Sequence, residues 1–92
     1  MSTQNDTHSK LLTELRELTD ANQHTEALLQ IAKHFRLRKL VKAFEAIETL
    51  HIELGSLDFG LYEARQRLSA YMFSFIKDHH GEKVRRQIYD CL

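Results

Sequence analysis

An all-α fold follows from three observations: the chain has no proline, only three glycines in 92 residues, and apolar residues that recur at spacings of three and four rather than alternating. A chain this long makes one domain, burying on the order of 60–65% of its extended surface without disulfides or metals. Its 42% apolar and 28% charged residues lie near globular averages, which argues against wholesale disorder.

Residues 1–8 are polar and aperiodic and read as a flexible N-terminal tail, leaving 9–92 as a single helical domain. From Ser9, the positions of Leu11, Leu12, Leu15 and Leu18 predict an amphipathic helix of about four turns, stopped near Asn22 by its tolerance of left-handed geometry. A second segment begins near Thr25 and places Leu28, Ile31, Ala32 and Phe35 on one face. Leu37, Leu40, Phe44, Ile47, His51 and Leu54 continue at 3-4-3-4-3 spacing. The step from Phe35 to Leu37 slips the phase, so a break is predicted near Arg36, between a short helix and a long one. Gly55 supplies the stop and Ser56 an N-cap for the next helix. There Leu57, Leu61, Ala64, Leu68, Tyr71 and Phe75 follow a 4-3-4-3-4 rhythm. Two long helices with matching seams predict an antiparallel hairpin. After Gly81, Val84, Ile88 and Cys91 mark a short terminal helix that folds back over it, with Cys91 in a frayed end. The expected architecture is a small bundle of four to five helices built on that long hairpin.

Thirteen basic residues balance thirteen acidic ones, so no global field draws the chain onto nucleic acid or an acidic membrane. No apolar run approaches the roughly 18 residues of a membrane span, and Met1–His8 lacks the pattern of a secretion signal. The single cysteine cannot close an internal disulfide. Together these features predict a cytoplasmic protein without a membrane partner.

Chemistry finds little foothold. Cys91 has no signature pairing it with a base, and no Gly-rich phosphate loop, nucleophile elbow or paired metal motif is present. No catalytic residue, cofactor or small-molecule substrate is therefore expected. Of the six histidines, only Asp78-His79-His80 with Glu82 and Cys91 suggests a metal cluster. Adjacent histidines on a helix project about 100° apart and cannot chelate one ion, so they read as a polar helix end favoured by the C-terminal dipole. No metal is predicted. His51 occupies a seam position and reads as a core group, the alternative being a pH-sensitive register device.

The clearest electrostatic feature is the basic stretch 33–42, where Lys33, Arg36, Arg38, Lys39 and Lys42 occur without a carboxylate. On a helix beginning at Leu37, Arg38, Lys39 and Lys42 share the face opposite Leu37, Leu40 and Phe44. Such a face suits phosphates or an acidic protein; the plainer alternative is a solvated surface answered by Glu45 and Glu48. Ile31-Ala32-Lys33-His34-Phe35 also resembles the end of the first helix of a helix-turn-helix, where a small residue makes room for the second helix. The match then lapses. Arg36 stands where the turn wants Gly or another residue tolerant of left-handed geometry, and Lys42 and Glu45 stand where apolar anchors belong.

The last long helix carries more apolar surface than one seam can use. Phe59, Tyr62 and Phe73 fall off the seam, while Met72 and Ile76 widen it. These five residues are predicted to meet another chain, and a homodimer is expected. The function expected is a non-catalytic protein–protein interaction module, a small regulator, inhibitor or chaperone that docks on a partner protein. The alternative is a dimeric nucleic-acid-binding transcriptional regulator using 33–42.

Overall fold

The structure, a computed structural model, describes residues 6–56 and 58–92, and every regular element among them is an α-helix. Helix α1 spans Asp6–Asp20, α2 His24–His34, α3 Arg38–Leu54, α4 Phe59–His80 and α5 Glu82–Tyr89. No helix among the described residues is long and apolar enough to cross a membrane.

Helix α1 begins earlier than Ser9, and the His8 ring packs against α2, which moves the predicted tail boundary; residues 1–5 lie outside the described residues. Leu11 and Leu15 are buried, with Leu12 and Leu18 packed beside them. Asn22 takes the left-handed conformation at φ 59°, and the Gln23 N–H donates to the Leu18 carbonyl at 2.8 Å. That bond closes the helix end.

Helix α2 is the centre of the molecule. It touches α1, α3 and α4, and buries Ala27 and Leu29 as well as the expected Leu28, Ile31 and Ala32. Ala27-Leu28-Leu29 followed by Ile31-Ala32 is apolar nearly all round, the mark of a helix enclosed on several sides.

The break falls at Phe35–Leu37. Arg36 adopts φ 58°, the left-handed geometry for which its side chain is poorly suited. The Arg36 and Leu37 N–H groups donate to the Lys33 and Ala32 carbonyls at 3.1 and 2.9 Å, which satisfies the end of α2. Replacing Arg36 with Gly is expected to raise stability by about 0.5–1 kcal/mol, the relief of left-handed strain outweighing glycine's extra freedom in the unfolded chain. A urea midpoint that rises at constant slope is the expected reading. An unchanged or lower midpoint would show that the Arg36 side chain itself holds the turn.

In α3 the expected seam is buried at Leu40, Phe44 and Ile47, then fades: His51 is half-buried, not core, and Leu54 is exposed. Gly55 ends the helix at φ 75°. The N-cap of α4 is Asp58, not Ser56, because the Asp58 Oδ1 accepts the Leu61 N–H at 2.8 Å. The predicted seam residue Leu57 lies outside the described residues.

Along α4 the predicted heptad seam drifts off the core. A straight helix turns 100° per residue, so from Leu61 the position of Met72 is displaced by only about 20°, that of Ile76 by about 60° the same way, and that of Tyr71 by about 80° the other way. Met72 and Ile76 are accordingly fully buried, while Tyr71 is 65% exposed. Phe73 is buried beside them, its ring edge-on to Tyr89 at 5.5 Å. Helix α5 packs on α4 and contributes Ile88. Cys91, expected to fray, is buried instead. Its Sγ donates to the Gln87 carbonyl at 3.4 Å, and its own carbonyl accepts from Thr19 Oγ1 at 3.3 Å, tying the C-terminus to the end of α1.

Candidate docking site

The first turn of α3 and the C-terminal half of α4 enclose a cleft of about 450 Å³ whose floor is Leu37, Leu40, Leu68, Tyr71 and Phe75, with Arg38 and Lys39 beside it. These apolar positions are those predicted to seal the two long helices together. Helices α3 and α4 are in contact, and Leu37, Leu61, Ala64 and Leu68 pack against the core, but a cleft opens beside them where the turn of α4 onto Met72 and Ile76 carries Tyr71 outward.

Arg38 and Lys39 are exposed, and neither forms an ion pair among the described residues, whose pairs lie within α4, within α5 and between the two. They also sit where the helix dipole disfavours them. The first turn of α3 holds no acidic residue, and its N-cap, Leu37, offers no side-chain acceptor to the free N–H groups. The rest of the basic stretch disperses. Lys33 lies in the last turn of α2, near enough to Glu48 to favour its ionised form; Arg36 is exposed in the turn, and Lys42 is exposed one turn beyond Arg38.

The five residues expected to meet another chain also separate. Met72, Phe73 and Ile76 belong to the chain's own core, which corrects their assignment to a docking surface: α2 and α5 enclose α4 on the side that a two-helix reading leaves bare. Phe59, at 80% exposure, and Tyr62 remain outside. Tyr62 stands at the mouth of a second cleft, of about 470 Å³, shared with Leu28, Arg65 and Tyr89. A third, polar cleft of about 320 Å³ holds Glu26, Glu48, His51 and Arg65. There Glu48 is held above the usual carboxylate range, chiefly by burial and then by the neighbouring Glu26 carboxyl.

No protein-family model matches the chain, and no curated protein or solved structure matches it.

Three histidines far apart in the sequence gather around Phe35. His8 Nδ1 and His34 Nε2 share a hydrogen bond at 3.0 Å, and the rings of His34 and His80 lie 4.9 and 4.6 Å from the Phe35 ring. His79 turns away to stack on Phe75 at 4.1 Å, so the adjacent pair serves two different contacts. Among the described residues no group of three or more His, Cys, Asp or Glu is placed to hold a metal ion. Burial holds His8 and His34 below the ordinary 6.5; His80 adds to this at both, His8 adds to it at His34, and Glu14 partly opposes it at His34. One ring of the bonded pair must present a bare nitrogen, so protonating both destroys the bond.

Because both groups are lowered, the unfolded chain takes up these protons first. Their contribution to stability is complete above the ordinary value of 6.5 and is lost as pH falls through the lower folded values. The thermal midpoint is expected to drop between about pH 7.5 and pH 5, and His34→Gln to flatten that drop. If the variant keeps the parent's pH dependence, the cluster is not its source.

Proposed function

We propose that this chain is a non-catalytic protein–protein interaction module, built on an antiparallel α3–α4 pair, that regulates a partner protein by docking on it. The observation that carries this reading is the α3–α4 cleft: an apolar floor left open by folding, with two cationic side chains beside it that no carboxylate of the described residues answers. Anchors in an apolar pocket with charge at the rim are how small docking surfaces gain both affinity and selectivity. The test is capture from a host extract of a protein that the parent chain retains and that Tyr71→Glu and R38E/K39E each lose. Equal capture by all three chains, or by none, removes the reading.

A nucleic-acid-binding regulator is the second reading, favoured by the left-handed Arg36 between α2 and α3. A helix-turn-helix needs such a residue there, and Arg38, Lys39 and Lys42 follow it on α3. Against it, Arg38, Lys42, Glu45 and Thr49 fall on one face, so a phosphate backbone meeting the cations also meets a carboxylate. Lys42 and Glu45 are moreover exposed, and do not serve as the anchors the motif needs. Retention on duplex DNA at physiological salt that R38E/K39E abolishes would establish this reading in place of the first.

Self-association is a further part of the proposal. Where α3 passes to α4, Leu50, Ile52, Leu54 and Phe59 are all exposed, Ile52 by 73%. One copy leaves this apolar end in water, and a second copy would cover it. Sedimentation equilibrium is expected to return about twice the 10.8 kDa chain, and Phe59→Glu to restore the single mass. A parent chain that is monomeric at micromolar concentration removes self-association and leaves the cleft reading standing.

A further inference from the structure

We propose that the occupant of the α3–α4 cleft is an acidic amphipathic helix of the partner protein, with apolar residues at i, i+4 and i+7 on the floor and carboxylates against Arg38 and Lys39. The inference rests on the docking reading above and gives the partner's recognition segment its chemistry.

Three observations select this occupant. The floor on α4 runs from Leu68 to Phe75, about 10 Å at 1.5 Å per residue, which is the reach of apolar anchors on two turns of a facing helix. Tyr71, largely exposed in the single chain, supplies an aromatic contact on that floor. The charge beside it is of one sign. Arg38 and Lys39 lie against the positive end of the α3 dipole, and the N-terminal N–H groups behind them lack a side-chain cap. A partner carboxylate would answer the cations and the uncapped helix end together, whereas a basic segment would meet repulsion from both. Duplex DNA offers the negative charge but nothing to fill the apolar floor.

The test uses the full chain and a phage-displayed library of randomised 16-residue helical peptides. Clones enriched on the parent chain are expected to carry Leu, Phe or Met at i, i+4 and i+7 with flanking Asp or Glu. Their affinity should fall at least about tenfold on R38E/K39E and weaken steeply as salt rises. The same library panned on R38E/K39E should yield clones with Lys or Arg at the flanks. Circular dichroism verifies that the variant is folded, and selection at raised salt removes clones held by net charge alone. Neutral or basic clones from the parent chain, or identical clones from both chains, would overturn the acidic occupant while leaving the docking module intact. No enrichment at all overturns it too. If the parent chain is then retained on duplex DNA and R38E/K39E is not, the docking reading falls with it.

Discussion

Phe73→Glu is expected to unfold the chain rather than to separate a dimer. Phe73 is only 7% exposed, belongs to the core that also holds Met72, Ile76 and Ile88, and packs its ring against Tyr89. The substitution puts a carboxylate among the apolar side chains of that core, at the edge of a cleft that Arg65 also lines. Desolvating it costs several kcal/mol, to which the loss of the phenyl packing adds about 3 kcal/mol or more. A domain of 92 residues holds about 5–10 kcal/mol in all, so the substitution consumes most or all of its stability. Circular dichroism at 25 °C should show lost helicity, or a thermal midpoint lowered by tens of degrees. Phe59→Glu supplies the contrast, since its side chain is among the most exposed apolar groups and its helix should remain intact. A folded, cooperatively melting Phe73→Glu protein would contradict the core described above.

R38E/K39E is expected to make the chain more stable while removing its binding. Both cations stand in the first turn of α3 against the dipole, and replacing them with carboxylates turns an unfavourable interaction into a favourable one. For two exposed positions the gain is about 1 kcal/mol, which raises the midpoint by about 4–8 °C in a domain of this size. The gain should shrink in high salt, because exposed charges are screened. A residue pair that weakens the fold and strengthens a contact is the trade expected of a binding surface. A lower midpoint would instead assign Arg38 and Lys39 a structural role in the α2–α3 junction.

Much of the helical layout was legible because its signals are local. The phase slip between Phe35 and Leu37 placed the break, Gly55 placed the end of α3, and Leu40, Phe44 and Ile47 named its buried face. The start of α4 is less legible, because Ser56 and Asp58 are both acceptable caps and only the Leu61 N–H shows which one is used. The candidate site was half legible. Arg38 and Lys39 stood out by charge, and Tyr71 and Phe75 by spacing, but reading the two seams as closed on each other concealed the cleft beside them. A signal for the central role of α2 was present in Ala27–Ala32, too apolar on every side for a surface helix.

By itself, then, the sequence determined the all-α class, the break at Arg36 and the basic character of the α3 start, since helix period, chain breakers and charge act over a few residues. Only the tertiary structure decided which side of α4 is core. The heptad pattern and the 3.6-residue turn diverge by about 20° every seven residues, so over α4 several faces compete, and packing by α2 and α5 selects the one with Met72 and Ile76. The tertiary structure also brought His8, His34 and His80 around Phe35 and turned Tyr71 out beside Leu37 and Leu40. Those meetings join residues dozens of positions apart, and they are set by how whole helices pack against one another, which no local pattern records.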